Sequence, residues 1–201
     1  MEKLLTVILA AGASRRLGFN KLCIRVNGEV VIRRTVRLFL EAGTGEIVVV
    51  TGFEREKIEE ELKGLPVAFA VNERHEEGMS ASVKAALPLI RHADAALFHL
   101  GDKPFVEPET IARLVRAYEA KKGSIIVPVH EGIKGHPVLL DMRRHLRAVC
   151  AVEGEWGLRD LIAAAGADVC CVEGGEGSLL DLDTDEDIAY LKGRGYTIEK
   201  G

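Results

Sequence analysis

The segment Leu9-Ala10-Ala11-Gly12-Ala13-Ser14-Arg15-Arg16-Leu17-Gly18-Phe19-Asn20-Lys21 joins small residues, a hydroxyl and cations directly after an apolar run. Small side chains let backbone N–H groups approach phosphate oxygens closely, Ser14 adds a donor, and Arg16 and Lys21 neutralise charge. Such a loop is suited to a polyphosphate. Its glycine is not followed by Lys and Ser/Thr as in the P-loop, and its glycine spacing is not that of the dinucleotide fold. A second segment, Leu100-Gly101-Asp102-Lys103-Pro104-Phe105-Val106, places an acid at the end of another apolar run. An aspartate there serves as a turn residue or helix cap. It serves equally as a ligand for a hard cation, because the C-terminal ends of strands line the ligand crevice of open α/β sheets. Mg²⁺ takes one or two carboxylates together with phosphate oxygens, so Asp102 fits that demand and a second carboxylate is expected from elsewhere in the chain.

The elements that must position these groups are legible in the hydrophobic pattern. Continuous runs rich in β-branched residues lie at Leu4–Ala10, Glu46–Thr51, Val67–Val71, Ala95–Leu100, Ser124–Val129 and Asp168–Val172. Runs that are continuous and not alternating belong to strands buried on both faces, as in a parallel sheet. Between them, Val30–Ala42, Glu54–Leu62, Met79–Ile90, Pro108–Lys121 and Leu158–Ala165 carry apolar residues three and four apart, the spacing of amphipathic helices. Strand and helix in alternation predict an α/β fold: a three-layer αβα sandwich around a mostly parallel, Rossmann-like sheet, with residues 1–201 as one domain. Pro108 suits a first helical turn, and Gly43 and Gly123 suit left-handed helix ends. Thr184 followed by Asp185, Glu186 and Asp187 predicts an N-cap and a short last helix. The stretch from Val129 to Asp141 is the most irregular and reads as an insertion that covers a site.

Composition removes several functional classes. With 27 Lys and Arg against 31 Asp and Glu, the net charge is −4, and no stretch is basic enough to hold a nucleic-acid backbone. The apolar N-terminal run is too short to span a membrane and reads as a first strand, so a cytoplasmic location and no membrane partner are expected. The four cysteines, Cys23, Cys150, Cys170 and Cys171, form no C-x-x-C pair and have no histidines at zinc-ligand spacing, which predicts reduced, buried thiols. The six histidines are scattered and suggest no transition-metal site.

Leu9-Ala10-Ala11-Gly12, with Arg16, Gly18 and Lys21, resembles the signature loop of the MobA-like nucleotidyltransferases. The resemblance implies the nucleotide-diphospho-sugar transferase fold, with the loop around the phosphates of an NTP and Arg16 and Lys21 on the β- and γ-phosphates. In the same way Leu100 to Val106 resembles the family's metal-binding aspartate segment, although many members have glutamine where Lys103 stands, a change of charge near the acceptor. Leu182-Asp183-Thr184-Asp185-Glu186-Asp187 resembles the C-terminal segment whose first aspartate completes the metal site. Asp102 and Asp183 are thereby the implied Mg²⁺ ligands, while Asp181, Asp185 and Asp187 are read as solvated or capping.

Asn72 and Glu77-Gly78-Met79-Ser80-Ala81-Ser82-Val83 resemble the base- and ribose-contacting segment of the molybdenum cofactor cytidylyltransferase branch, which implies nucleotide contacts from Asn72, Gly78, Ser80 and Ser82. From the residues alone, Met79 and Val83 read as core, and Ser80 and Ser82 serve equally as helix caps. Gly135-His136-Pro137 and the stretch Gly154 to Leu161 resemble acceptor-side segments, implying roles for His136 and Arg159; His136 is as readily structural. Glu155 and Trp156 depart from the branch's Gly-Asp-x-Gly form, and Trp156 either stacks on an acceptor ring or packs. The guanylyltransferase branch of the family usually has Ala-Gly-Gly where this chain has Ala10-Ala11-Gly12, and a different segment where it has Gly78-Met79-Ser80-Ala81-Ser82, so the resemblance implies CTP over GTP. The implied reaction is CMP transfer from CTP to the phosphate of a phosphorylated pterin, the molybdopterin-bound molybdenum cofactor, catalysed through Arg16, Lys21 and Asp102. The alternatives are another phosphorylated acceptor (a sugar, polyol or cofactor precursor), or a non-catalytic nucleotide-binding chaperone for a molybdoenzyme partner.

Overall fold

Alternate residues of the central strands face opposite layers, and both sets are apolar. In β1 (Leu4–Ala10), Leu5 and Val7 enter one core while Ile8 and Ala10 enter the other. β4 (Glu46–Thr51) and β6 (Ala95–Leu100) divide the same way, Val48, Val50, Ala96 and Phe98 on one side and Ile47, Val49, Ala95 and Leu97 on the other. Two buried faces account for the continuous apolar runs and require a helical layer on each. The computed structural model, which describes residues 2–14 and 17–200, supplies both. Against one face lie α1 (Val31–Glu41), α2 (Arg55–Glu61), α4 (Pro108–Glu119) and α7 (Asp185–Gly193). Against the other lie α3 (Met79–Ile90), α5 (Met142–Ala151) and α6 (Arg159–Ala164), the last packing Leu161 and Ile162 as partly buried groups. The fold is the expected αβα sandwich.

With β5 (Val67–Val71), β7 (Ile125–His130), β9 (Val138–Asp141) and β10 (Val169–Glu173), the strand order is β10-β7-β9-β6-β1-β4-β5. β6, β1, β4 and β5 are parallel neighbours, and β10 runs parallel to β7. From β1 the chain proceeds to β4 and β5 on one side, then returns to β6 on the other. The C-terminal ends of β1 and β6 therefore form a topological switch point, the place where open α/β sheets bind ligands. The loops after these two strands are the two segments whose chemistry stood out in the sequence.

The stretch from 129 to 141 is not a simple covering insertion. It contains β8 (Ile133–Lys134), which pairs with β7, and then β9, which runs antiparallel between β6 and β7 inside the sheet. Four residues are too few to show a periodicity, yet Val138, Leu139 and Leu140 are buried on both faces. α5 follows at once, capped by the Asp141 carboxylate, which accepts from the Arg144 N–H at 3.3 Å. A small second sheet joins β11 (Ile198–Glu199), β2 (Arg25–Val26) and β3 (Glu29–Val30). Asn27 and Gly28 both take positive φ there, as a two-residue hairpin turn requires.

Three of the four helix-end signals read from the sequence act as expected. Pro108 occupies the first turn of α4, Gly43 takes a φ of +65°, and Thr184 forms a reciprocal capping box with Asp187. After α4 it is Lys121, not Gly123, that turns left-handed, at φ +54°. Gly123 is needed for a different reason: a Cβ there would lie 2.8 Å from the Cys170 Cβ. The thiols depart from expectation too, since all four are free but Cys150 and Cys171 are exposed and Cys23 and Cys170 only partly covered.

Candidate active site

Lys21 follows Asn20, whose side chain caps a 3-10 turn over Lys21–Cys23 by accepting from the Leu22 N–H at 3.1 Å. The Lys21 backbone N–H donates to the Ser14 hydroxyl oxygen at 3.1 Å, and Ser14 itself sits at φ +47°. Ser14 thus braces the lysine and does not line the adjoining cavity. On the β6 side, Gly101 donates to the Leu9 carbonyl at 2.9 Å, and Thr35 of α1 donates through its hydroxyl to the Gly101 carbonyl at 2.9 Å. A Cβ on Gly101 would come within 3.2 Å of that Leu9 oxygen, so the turn holding Asp102 is packed as closely as its backbone permits.

Between these braced loops, the Lys21 ammonium donates to Asp102 Oδ2 and, at 2.7 Å, to Asp183 Oδ1. Two carboxylates distant in sequence thereby face one point. The Asp102 side chain is 13% exposed and that of Asp183 31% exposed. Burial opposes the Lys21 charge, but Asp102 and Asp183 more than offset it and hold its pKa above the ordinary lysine value. Asp183 is carried there by Leu182, which is fully buried and whose N–H donates to the Asp102 carbonyl at 3.2 Å. Burying such a leucine is worth about 1.5–3 kcal/mol, enough to seat an otherwise polar segment against the sheet.

Leu9, Ala10, Ala11, Gly12, Lys21, Gly78, Ser82 and Asp102 line a cavity of about 360 Å³. Among the described residues, nothing lies within 4 Å of where a Gly12 Cβ would stand, so the missing side chain leaves that space in the cavity to a ligand. Asn72 and Ser80 are not among its lining residues; they line a separate depression of about 570 Å³. Asn72 Nδ2 donates to the Ser82 hydroxyl at 3.0 Å, so Asn72 orients the serine that does face the cavity. Neither serine caps α3, whose N-cap is Gly78 without a side-chain bond. Arg16 lies outside the described residues.

A larger cavity, about 720 Å³, adjoins the first and shares with it Leu9, Met79, Leu100 and Glu155. Met79 is 37% exposed and stands between the two, so it is not the core residue that its spacing suggested, whereas Val83 is fully buried. His136 and Arg159 both line this cavity, and the Arg159 guanidinium lies 4.7 Å from the Trp156 ring centre. At 58% exposure Trp156 does not serve packing. Glu155 and Met79 fall within segments picked out by the resemblance but were given no role there, and both line the two cavities. Their placement depends on Gly78 and Gly157, where a Cβ would come within 2.7 Å of the Gly154 carbonyl oxygen and 2.9 Å of the Met79 sulfur.

Lys103 does not extend its charge toward an acceptor. It is buried, donating to the Leu179 carbonyl at 2.6 Å and to Asp181 Oδ2 at 3.1 Å, so Asp181, although partly solvated, is an ion-pair partner. Asp187 belongs to the capping box, and Asp185 approaches Lys200 at 3.8 Å. Beside Lys103, His99 is fully buried against Phe39, and its Nε2 lies 2.9 Å from the Lys103 carbonyl. A carbonyl only accepts, so Nε2 carries the proton and Nδ1 is the basic nitrogen. Burial, then His136, holds the His99 pKa down to about 3; burial, then the Lys103 ammonium, holds His136 down to about 4. Both imidazoles are neutral at pH 7. Unfolded histidines titrate near pH 6.5, so the unfolded chain takes up protons that the folded one refuses between pH 6.5 and about 4. The melting temperature is therefore expected to be maximal with respect to these groups above pH 6.5 and to fall with acidification through that window. His99→Gln is expected to flatten the fall; an unchanged acid limb would show that His99 does not contribute to it.

Residues 6–169 match the MobA-like NTP transferase domain. The chain belongs to this family. The MobA-like identity accords with the fold, the glycine loop and the paired carboxylates at the switch point. The chain is similar to the molybdenum cofactor cytidylyltransferase of Escherichia coli, with 27% identity over 192 residues covering 95% of this chain and 96% of that protein. It is also similar to the bifunctional protein GlmU of Symbiobacterium thermophilum, with 35% identity over 59% of this chain, which spans 26% of that longer protein. Among solved structures, a nucleotidyl transferase from Methanothermobacter superposes with a TM-score of 0.80 and 25% identity, covering 96% of this chain and 97% of that one. Among the described residues, no group of three or more His, Cys, Asp or Glu could hold a metal ion, and no helix is long and apolar enough to cross a membrane.

Proposed function

We propose that this MobA-like NTP transferase moves CMP from CTP to the phosphate of molybdopterin-bound molybdenum cofactor and releases pyrophosphate. The observation that carries the proposal is the convergence of Lys21, Asp102 and Asp183 beside a small cavity that opens into a larger, mainly apolar one. The small cavity suits a nucleotide whose phosphates meet the loop at Ala11, Gly12 and Ala13. The large one suits a ring system, with Trp156 as a stacking surface and Arg159 as a cation for an anionic substituent. The choice of a pterin phosphate, and of CTP, rests on the end-to-end similarity to the Escherichia coli enzyme.

Two carboxylates facing one point fit a hard divalent cation that takes its remaining ligands from phosphate and water. Asp102 and Asp183 would hold Mg²⁺, which when bound neutralises charge on the triphosphate. An oxygen of the acceptor phosphate forms a bond to the α-phosphorus; the bond from that phosphorus to the bridging oxygen breaks, and its electron pair leaves with pyrophosphate. A phosphate monoester is mostly dianionic at neutral pH, its second pKa being about 6, so no protein base is needed. The depressed basicity of the buried His99 and His136 agrees with that. What the chain supplies is placement by the two cavities and the positive charge of Lys21, with Arg16 assigned the same role.

The deciding experiment measures pyrophosphate release from purified protein with Mg²⁺ and each of the four NTPs, with and without molybdenum cofactor. Release is expected only with CTP and cofactor together. Release with CTP and a sugar or polyol phosphate instead would reassign the acceptor, and tight CTP binding without release under any condition would make the protein a nucleotide-binding chaperone.

A further inference from the structure

Asp183 belongs to no strand or helix, yet it must stay opposite Asp102 for the two carboxylates to share one cation. Its C-terminal side is tied down by the capping box: Asp187 Oδ2 accepts from the Asp183 N–H at 3.0 Å and from the Thr184 N–H at 2.8 Å. Its N-terminal side is tied to the loop that carries Asp102. There Lys103 reaches from that loop across to the incoming segment and holds it at two points, the Leu179 carbonyl at 2.6 Å and the Asp181 carboxylate at 3.1 Å. The Leu182 N–H adds a third tie, to the Asp102 carbonyl. The Lys103 side chain is 9% exposed, which is costly for an ammonium unless it is fully partnered.

We propose that Lys103 is a positioning residue that keeps Asp183 in register with Asp102 and so sets the affinity of the divalent-cation site. This rests on the metal reading given above. Lys103 need not touch nucleotide or acceptor, because its charge is spent on Asp181. A side chain with no donor would release the 179–182 segment at both ties, whereas a glutamine keeps a donor for the Leu179 carbonyl.

The test is titration of the purified protein with Mn²⁺ alone, reading free Mn²⁺ by electron paramagnetic resonance, with thermal unfolding measured alongside. Wild-type protein is expected to bind Mn²⁺ against competition from the Lys21 ammonium, and Lys21→Ala more tightly, each in a manner abolished by Asp102→Ala; no Mn²⁺ binding by either protein would overturn the paired metal site and this proposal with it. Lys103→Met is expected to bind about tenfold more weakly, a difference of about 1.4 kcal/mol. Lys103→Gln should return to within about threefold of wild type, a rescue that lost packing alone would not produce. Asp181→Asn, at a carboxylate 40% exposed, removes the ion pair without emptying a buried site and should weaken Mn²⁺ in the same direction; it carries the test if Lys103→Met does not fold. Wild-type Mn²⁺ affinity in both Lys103→Met and Asp181→Asn, with Asp102→Ala still inactive in binding, would overturn the role of Lys103 alone. Mn²⁺ binding indifferent to Asp102→Ala would overturn the paired metal site and this proposal with it.

Discussion

Asp102→Ala is expected to lower kcat/KM for pyrophosphate release by roughly 10²–10³, the usual loss when one preorganised electrostatic contact to a developing charge is removed. Asp102 is the more buried of the two carboxylates and lines the small cavity directly, so its charge is the less screened of the pair. Its loop is held by the Gly101 N–H on the Leu9 carbonyl, the Thr35 hydroxyl on the Gly101 carbonyl and the Leu182 N–H on the Asp102 carbonyl, none of which uses the Asp102 side chain. The variant should therefore fold. Steady-state kinetics at saturating Mg²⁺, together with a thermal melt, separate the two effects. Turnover within threefold of wild type would remove Asp102 from the mechanism.

Lys21→Ala is expected to cost a similar 10²–10³ in turnover, with a second and more particular signature. In the nucleotide-free protein the Lys21 ammonium is the counter-charge for Asp102 and Asp183, the same pair assigned to the cation. Lysine and cation then compete for those carboxylates until a triphosphate draws the lysine toward its own oxygens. With Lys21 removed, added Mg²⁺ alone should raise the melting temperature more than it does in wild type, because the cation no longer competes with the lysine for the two carboxylates. The pH dependence has a definite sign. The Lys21 pKa is held above its ordinary 10.5, so its contribution to stability is complete below that pH and is lost as the pH rises through the folded-state value. Wild type should thus lose a contribution above pH 10.5 that Lys21→Ala never had, and melting curves across that range read it. A Mg²⁺ shift equal in the two proteins would mean that Lys21 does not share the cation's ligands.

These two experiments probe contacts between residues 81 and 162 positions apart, and that separation marks where local reading of a sequence stops. Elements whose cause is local were legible. Strands buried on both faces betray themselves by unbroken apolar runs, as in β1, β4 and β6. Amphipathic helices show their spacing, and Thr184 with Asp187 shows a cap whose partners lie three residues apart. The switch-point loops could be picked out because small residues, cations and an acid directly after a strand have few other uses.

Tertiary structure decided the rest. β9 is buried because it is wedged between β6 and β7, and nothing within its own four residues demands that. Met79 carries the spacing of a core residue, but the backbones of Gly78 and Gly157 bring it to the boundary between two cavities. Asn72 and Ser80 sit on the right segment, yet helical geometry turns only Ser82 into the small cavity. Lys103 reads as a charge near the acceptor and Asp181 as a solvated or capping acid until the fold places one against the other. Sequence by itself determined which groups could do the chemistry and which layers would carry them. Which carboxylates meet, which cations they meet, and which cavity each side chain faces followed from long-range packing, because such contacts leave no periodic trace along the chain.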